Sequence, residues 1–412
     1  GTRSAKFSGY TLVAEQPVVE VVGGWPEVLR VFAPTIAGVG EDVCLKIVAR
    51  DCYENTALVQ PEMLELDGGP AVRAEVLPPK GPLMATRQAE GRSSARALDS
   101  FSGPGDVPLP TRTLPAVPRL ASVRAAFPGT YRVEVAAPEM GLTGLSNPMV
   151  IEDRSDGLQL YWGDPHGHTR LSDGLGTPEA YFAFARDEAA LDFAAIADHA
   201  QYMSDEDWEW IRSAVAAFNR PGEFVTILGY EYSLNADKPH FGDKCIYYPG
   251  ENGPLLRETD IYRTEYADMA AHAVEWKRHG AMMVLHQHAR GTCSFYDPDL
   301  VRLVEVYSVW GASEGPEATR DLLPSRVRDY SGHWARDALE LGWILGFCAG
   351  SDDHAGRPGA SNWLRRSEAW PGGLTAVWAT ELTREAIWDA LWNRRCYGTT
   401  GARIFLEFTA AG

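Results

Sequence analysis

The sequence predicts an α/β protein in which a small β-sandwich-like domain precedes a parallel β/α barrel. Three observations carry that expectation: a length of 412 residues, a β-rich texture up to about residue 153, and alternation of strand and helix after it. A chain of this length exceeds the size at which one hydrophobic core keeps growing, so two domains are expected, 1–153 and 154–412.

In the first part, "EVLRVFAP", "DVCLKIVARD", "GTYRVEVAAP" and "NPMVIED" are short, rich in β-branched and aromatic residues, and bounded by Gly, Pro and Asn/Asp. No helical period runs through them, so they read as strands. Eight prolines fall between residues 78 and 118, which makes that stretch a long irregular excursion from the sandwich.

From Leu158 onward the strand candidates are "LQLYWGD", "LDFAAIAD", "FVTILGYE", "DKCIYYP", "AMMVLHQH", "LVEVYSVW", "GWILGFCAG" and "LTAVWA". Helices fall between them. Thr177 is an N-cap, with Pro178 in the first turn of "EAYFAFARDEA"; further helices are expected in "DEDWEWIRSAVAAFN", "EYADMAAHAVEWKRHG", "HWARDALELG" and "TREAIWDALWNRR". Such alternation is the signature of a parallel sheet.

Composition narrows the function. With 45% hydrophobic residues, 23% charged residues and a mean hydropathy of −0.23, the chain reads as soluble and globular. No apolar run approaches the roughly 20 residues of a membrane helix. The start "GTRSAKFSGY" has no apolar signal core, so a cytoplasmic chain is expected unless a leader has been trimmed. A net charge of −18 and a pI near 5.0 oppose broad binding to a nucleic-acid polymer or an anionic membrane. A small anionic substrate would need a local cluster of cations. The six cysteines form no CxxC pair and read as reduced thiols, with Cys44 and Cys52 the one pair a hairpin could oppose.

The chemistry concentrates in "YWGDPHGHTRLSDG", Tyr161 to Gly174, where His166, His168 and Asp173 lie close together. Later strand candidates end in similar groups: Asp198 and His199, then Glu231, then His286 and His288, then Asp352 and His354. With His240, seven of the ten histidines lie at or near strand ends. In a β/α barrel these ends open onto one face, so residues distant in sequence would converge. Imidazole and carboxylate together suit Zn, Mn or Fe, and the inventory suffices for two or three divalent ions. Closely spaced cations acidify a bridging water and stabilise attacking and leaving oxygens, which predicts a metal-dependent hydrolase using a metal-bridging hydroxide. Each piece alone has a plainer reading, as a chance HxH, a helix cap or a solvated turn. Their joint placement favours the metal.

Substrate contacts are expected from cations beside these motifs. Arg290 in "HQHARG" and Arg357 in "DDHAGRPG" could grip phosphate or carboxylate, with Arg170 and Lys244 as further candidates. Any of them also reads as a surface cation paired with an acid. Asp353, beside Asp352, is a candidate general acid. Glu305 and Tyr307 alternate with apolar residues in "LVEVYSVW", so they either wall the barrel mouth or are satisfied internally. The 13 tryptophans are scattered and read as core or interface.

The ordered set "HGHTRLSDG", "AIADHA", "GYE", a later-strand histidine and "GSDDH" resembles the PHP (polymerase and histidinol phosphatase) superfamily of metal-dependent phosphoesterases. Over residues 158–405, "GLTAVWATELTREAIWDAL" and "RRCYGTTGARI" resemble its uncharacterised DUF3604-like group, which has a β-rich N-terminal extension. The resemblance implies a distorted (β/α)7, TIM-like barrel with up to three ions. By similarity His166, His168, Glu231 and Asp352 hold the first, and Glu231 bridges to a second. Two of His240, His286 and His288 complete that second site; the family's order favours His240 with His286, which leaves His288 to the substrate. Asp173, His199 and His354 hold the third. Pro165 stands where the family more often has Leu, a departure that should stiffen the strand end. The implied activity is hydrolysis of a small phosphorylated metabolite. A thin phosphate grip keeps a carboxylic ester, lactone or amide open as the bond attacked, and a scaffold with a vestigial site is the non-catalytic alternative. Oligomeric state is not legible in the sequence.

Overall fold

The computed structural model describes residues 23–77, 119–153, 157–232, 243–257, 266–286, 293, 295–323, 332, 334–362 and 369–408; the whole of the proline-rich stretch 78–118 lies outside them. The chain divides into two compact units. One takes Gly1–Ala33, Asp42–Arg124 and Arg132–Ser146, the other Pro34–Glu41, Ala125–Tyr131 and Asn147–Gly412.

Up to residue 152 the described strands are β1 (Val28–Phe32), β2 (Ile36–Gly38), β3 (Val43–Arg50), β4 (Thr56–Ala57), β5 (Glu65–Asp67), β6 (Val72–Val76), β7 (Arg119–Ala125), β8 (Gly129–Tyr131), β9 (Glu134–Ala137), β10 (Leu142–Leu145) and β11 (Met149–Glu152). In the first unit β1, β3, β7 and β6 lie side by side with β4 on β3, while β10, β9 and β5 form a second sheet. The start of β3 alternates: Val43, Leu45 and Ile47 are buried, and Cys44 and Lys46 are less so. Gly144 lets β10 approach β1, because a Cβ there would lie 2.7 Å from the Leu29 carbonyl oxygen. β2, β11 and β8 form a small sheet in the second unit. All six cysteines, Cys44 and Cys52 included, are thiols rather than disulfides.

The second unit is built on β12 (Gln159–Asp164), β13 (Phe193–Ala195), β14 (Val225–Tyr232), β15 (Lys244–Tyr248), β16 (Met282–His286), β17 (Val301–Glu305), a hairpin of β18 (Tyr307–Ser308) and β19 (Gly311–Ala312), β20 (Gly346–Cys348), β21 (Leu374–Ala379) and β22 (Cys396–Thr399). Its described helices are α1 (Pro178–Ala183), α2 (Asp205–Phe218), α3 (Tyr266–Arg278), α4 (Ala335–Glu340) and α5 (Arg384–Trp392). Thr177 caps α1, accepting from the Ala180 N–H, and Ser204 with Asp207 forms a capping box on α2. Among the described residues no helix is long and apolar enough to cross a membrane.

The expected (β/α)7 TIM-like barrel is not what forms. Strand outweighs helix, 34% against 20%, and one mixed sheet of nine strands runs in the order β20-β17-β16-β15-β14-β13-β12-β21-β22. The pairs β12–β13, β13–β14, β16–β17 and β17–β20 are parallel, whereas β14–β15, β15–β16, β12–β21 and β21–β22 are antiparallel. Hence β15 and β21 run against the other seven. The physical reason is that strand–helix alternation fixes local conformation but not direction. A connection as long as 249–281 can carry α3 and still return to the edge it left, so β15 and β16 pair antiparallel.

The sheet curls until its ends nearly meet. Cys396 Sγ on β22 lies 3.5 Å from the Phe347 carbonyl oxygen on β20. Its concave side is filled by apolar side chains such as Phe193, Ile227, Val284, Leu303 and Val377, and its outer side packs Trp162, Tyr230 and Leu285 with the helices.

Candidate metal centre

Because β12, β13, β14, β16, β17 and β20 all point the same way, their C-terminal ends share one rim. Three buried carboxylates brace the loops there. Asp164 accepts from the backbone N–H groups of Ser351 at 2.8 Å, Gly359 at 2.7 Å and His166 at 3.2 Å. Asp198 accepts from the Thr169 N–H at 2.7 Å and from the Thr169 and Ser172 hydroxyls. Asp353 accepts from the Arg357 N–H at 2.6 Å, the Ala355 N–H at 3.1 Å and the Ser361 hydroxyl at 2.7 Å. These bonds satisfy N–H groups that burial would otherwise orphan. Burial pushes Asp164 up to about 7 against the pull of its donors, and it raises Asp198 and Asp353 as well.

On this frame sit three overlapping groups, each with ligand atoms mutually within 4.8 Å: His168, Asp173, His199 and His354; His166, His168 and Asp352; and His166, Glu231 and His286. Five strand ends contribute. Glu231 Oε2 lies 3.0 Å from His199 Nδ1, 3.5 Å from His168 Nε2 and 3.7 Å from His166 Nε2. Asp352 Oδ1 lies 2.8 Å from His168 Nε2 and 3.5 Å from His166 Nε2, and its Oδ2 is 3.3 Å from His286 Nε2. Asp173 faces His168, His199 and His354 at 3.5 to 3.7 Å. Asp352 adopts φ +51, a left-handed conformation seldom taken by a non-glycine residue.

The donor set suits divalent cations. Among the described residues His166 Nε2 is buried without a hydrogen-bond partner, an atom left over unless something else engages it. Burial opposes charge on His166 and His286. Even so, Cys245, Glu305 and Asp352 around the first, and Glu305 and Asp352 around the second, hold both well above the ordinary imidazole range. Burial and the neighbouring His354 push His168 below it. Burial would lift Glu231 and Asp352, but the histidines pull both down, His199 foremost for the former and His166 for the latter. The carboxylates thus favour positive charge at His166 and His286, while His168 is held toward the neutral form that ligates a metal.

The remaining predicted site residues fall outside the ligand groups or outside the described residues. His240, His288 and Arg290 lie outside the described residues. Arg170 stacks over the Trp210 ring at 5.0 Å. Lys244 is buried on β15 in register with Tyr232 and Leu285 of the outer face, opposite to Cys245. Arg357 is half-buried, and its backbone N–H binds Asp353. Asp353 holds its own loop rather than entering a ligand group, so its oxygens already carry three donors.

Glu305 takes the internal alternative the sequence left open to it, and Trp310 joins the cluster unanticipated. Glu305 is no substrate wall: its Oε2 is 2.9 Å from His166 Nδ1 and its Oε1 2.9 Å from His286 Nδ1. Trp310, partly exposed, donates its indole N–H to Asp352 Oδ2. The sequence signal for Glu305 is an acid in an apolar strand beside a histidine-ended one; for Trp310 there is none. Tyr307 donates its hydroxyl to the Pro371 carbonyl at 2.7 Å, an internal bond.

A family model described as a protein of unknown function (DUF3604) matches residues 345–411. Uncharacterised proteins of Chlamydia pneumoniae and Chlamydia muridarum are 28% and 26% identical over 290 and 291 residues, 68% of this chain and 46% of each relative. The chain thus spans about half the length of the curated relatives it matches. Among solved structures, a two-domain protein from Bacteroides vulgatus containing a predicted PHP-like metal-dependent phosphoesterase is 19% identical, with a TM-score of 0.39 over 59% of this chain and 66% of that one.

Proposed function

We propose that this chain is a metal-dependent hydrolase, most plainly a phosphoesterase for a small phosphorylated metabolite. The observation that carries the reading is the convergence of five histidines, two aspartates and a glutamate on three overlapping groups around the orphaned His166 Nε2. His166, His168, Glu231 and Asp352 would hold one cation, Glu231 and His286 would share in a second, and Asp173, His199 and His354 with His168 would hold a third. Divalent cations there would acidify water for attack and offset charge on the substrate's oxygens.

The chain's own residues set the rest. Asp164, Asp198 and Asp353 keep the rim loops in one conformation, so the ligand atoms need not be gathered at the moment of binding. Trp310, beside Asp352, and Tyr202, edge-on to the His199 ring at 5.7 Å, are both open to solvent and are aromatics that a substrate would meet at the cluster.

A second reading keeps the cations and changes the bond, to a carboxylic ester, lactone or amide. It is favoured by the placement of Arg170 on Trp210 and of Lys244 on the outer face, which removes two cations from the phosphate grip. The test is turnover by manganese- or zinc-loaded protein on aryl phosphomonoesters, phosphodiesters and carboxyl esters. Turnover of phosphoesters alone supports the first reading and of carboxyl esters alone the second; none of either, at full metal content, would overturn both.

A further inference from the structure

We propose that Glu305 is a positioning residue whose single carboxylate orients two candidate metal ligands, His166 and His286, at once; the inference rests on the metal-dependent reading above. One oxygen serves each ring. Oε2 meets His166 Nδ1 and Oε1 meets His286 Nδ1, both at 2.9 Å, and all three side chains are buried. The other neighbour of His166 Nδ1, the Cys245 thiol, is farther off at 3.6 Å and a weaker partner.

The two nitrogens of an imidazole sit on opposite sides of the ring, so holding Nδ1 aims Nε2. Both Nε2 atoms thereby face Asp352, His166 at 3.5 Å from Oδ1 and His286 at 3.3 Å from Oδ2. A ligating histidine commonly gives its other N–H to a carboxylate, which fixes tautomer and ring orientation. What is unusual here is the sharing: β17 supplies one acceptor pair to ligands from β12 and from β16, so the two ligands cannot be re-aimed independently. Gly350 makes the room. A Cβ there would stand 2.6 Å from the His166 Cβ and 2.8 Å from Glu305 Oε2.

Glutamine at 305 keeps the shape but offers one acceptor oxygen and one N–H₂ donor, so one of the two Nδ1–H groups loses its partner. Zinc binding to wild type, Glu305→Gln and Glu305→Asp is measured by chelator competition, with circular dichroism as the folding control. The expected result for Glu305→Gln is roughly 10- to 100-fold weaker binding of the ions that use His166 and His286. The ion held by Asp173, His199 and His354 should keep wild-type affinity. Wild-type affinity at every site in a folded Glu305→Gln would overturn the proposal.

A readout free of substitution is nitrogen NMR on histidine-labelled, zinc-loaded wild type. His166 and His286 should show a protonated Nδ1 and a zinc-shifted Nε2; the reverse assignment overturns the proposal even if every variant unfolds. A wild-type protein that takes up no zinc overturns the hydrolase reading first, and this inference with it.

Discussion

His168 Nε2 lies 2.8 Å from Asp352 Oδ1, across 184 residues of sequence. Their loops follow β12 and β20, which are not neighbours in the sheet, yet beyond it the loops pair directly: the His168 N–H donates to the Asp353 carbonyl at 2.7 Å and the Asp352 N–H to the His166 carbonyl at 2.8 Å. Asp352 also meets His286 and Trp310. Asp352→Asn retains the shape and removes the charge. At least one ion should be lost per chain, with turnover falling about 100-fold or more, since even outer partners of ligands are worth 10 to 100-fold. Metal analysis by mass spectrometry beside an initial-rate assay checks it; full metal content would refute the assignment.

Glu231 lies against His166 and His168 of the first proposed site and shares a ligand group with His286 of the second. Glu231→Gln is therefore expected to weaken two ions together rather than one, and to abolish turnover. Stepwise metal titration distinguishes these outcomes: loss of a single ion with near-normal rate would contradict the bridging role.

Asp198 is buried and accepts from the Thr169 backbone and from two hydroxyls, yet it belongs to none of the ligand groups. Asp198→Ala leaves a buried N–H without a partner, at a cost of about 1–3 kcal/mol in stability. Denaturant melts of the metal-free protein measure it. An unchanged midpoint would show that water replaces the carboxylate.

His354 links stability and ion binding to pH. Burial works against its charge, but Asp173 and Asp352 hold it up to about 9. A group raised in the folded state contributes stability that is whole below its unfolded value near 6.5 and is lost as pH climbs through about 9. Ions must displace that same proton, so the opposite trend is expected for binding: affinity at the Asp173, His199 and His354 group strengthens up to tenfold per pH unit until about 9 and then levels. Chelator competition between pH 6 and 9 reads the slope, and a flat profile would remove His354 from the ligand set.

Much of this was legible before any coordinates. Most strands and helices between Leu158 and Ala379 fall in the segments the sequence marks, with Thr177 capping α1 as expected, although α1 ends at Ala183 and a π-helical turn takes Phe184–Glu188. The histidine-bearing strand ends were equally plain, because ligand types at successive C-termini are a one-dimensional pattern. The role of Glu305 was not, since an acid in an alternating strand looks the same whether it faces solvent, substrate or two imidazoles.

The sequence by itself determined which segments extend or coil, where imidazole and carboxylate groups recur, and that most of the histidines lie at or near strand ends. Only the tertiary structure decided that β15 and β21 run backwards, that Lys244 turns away from the cluster while Cys245 turns toward it, and that Glu305 ties His166 to His286. The reason is one of range. Dihedral preference and hydrophobic period act over a few neighbouring residues, whereas strand direction and the partner of a buried carboxylate are set by contacts across the sheet.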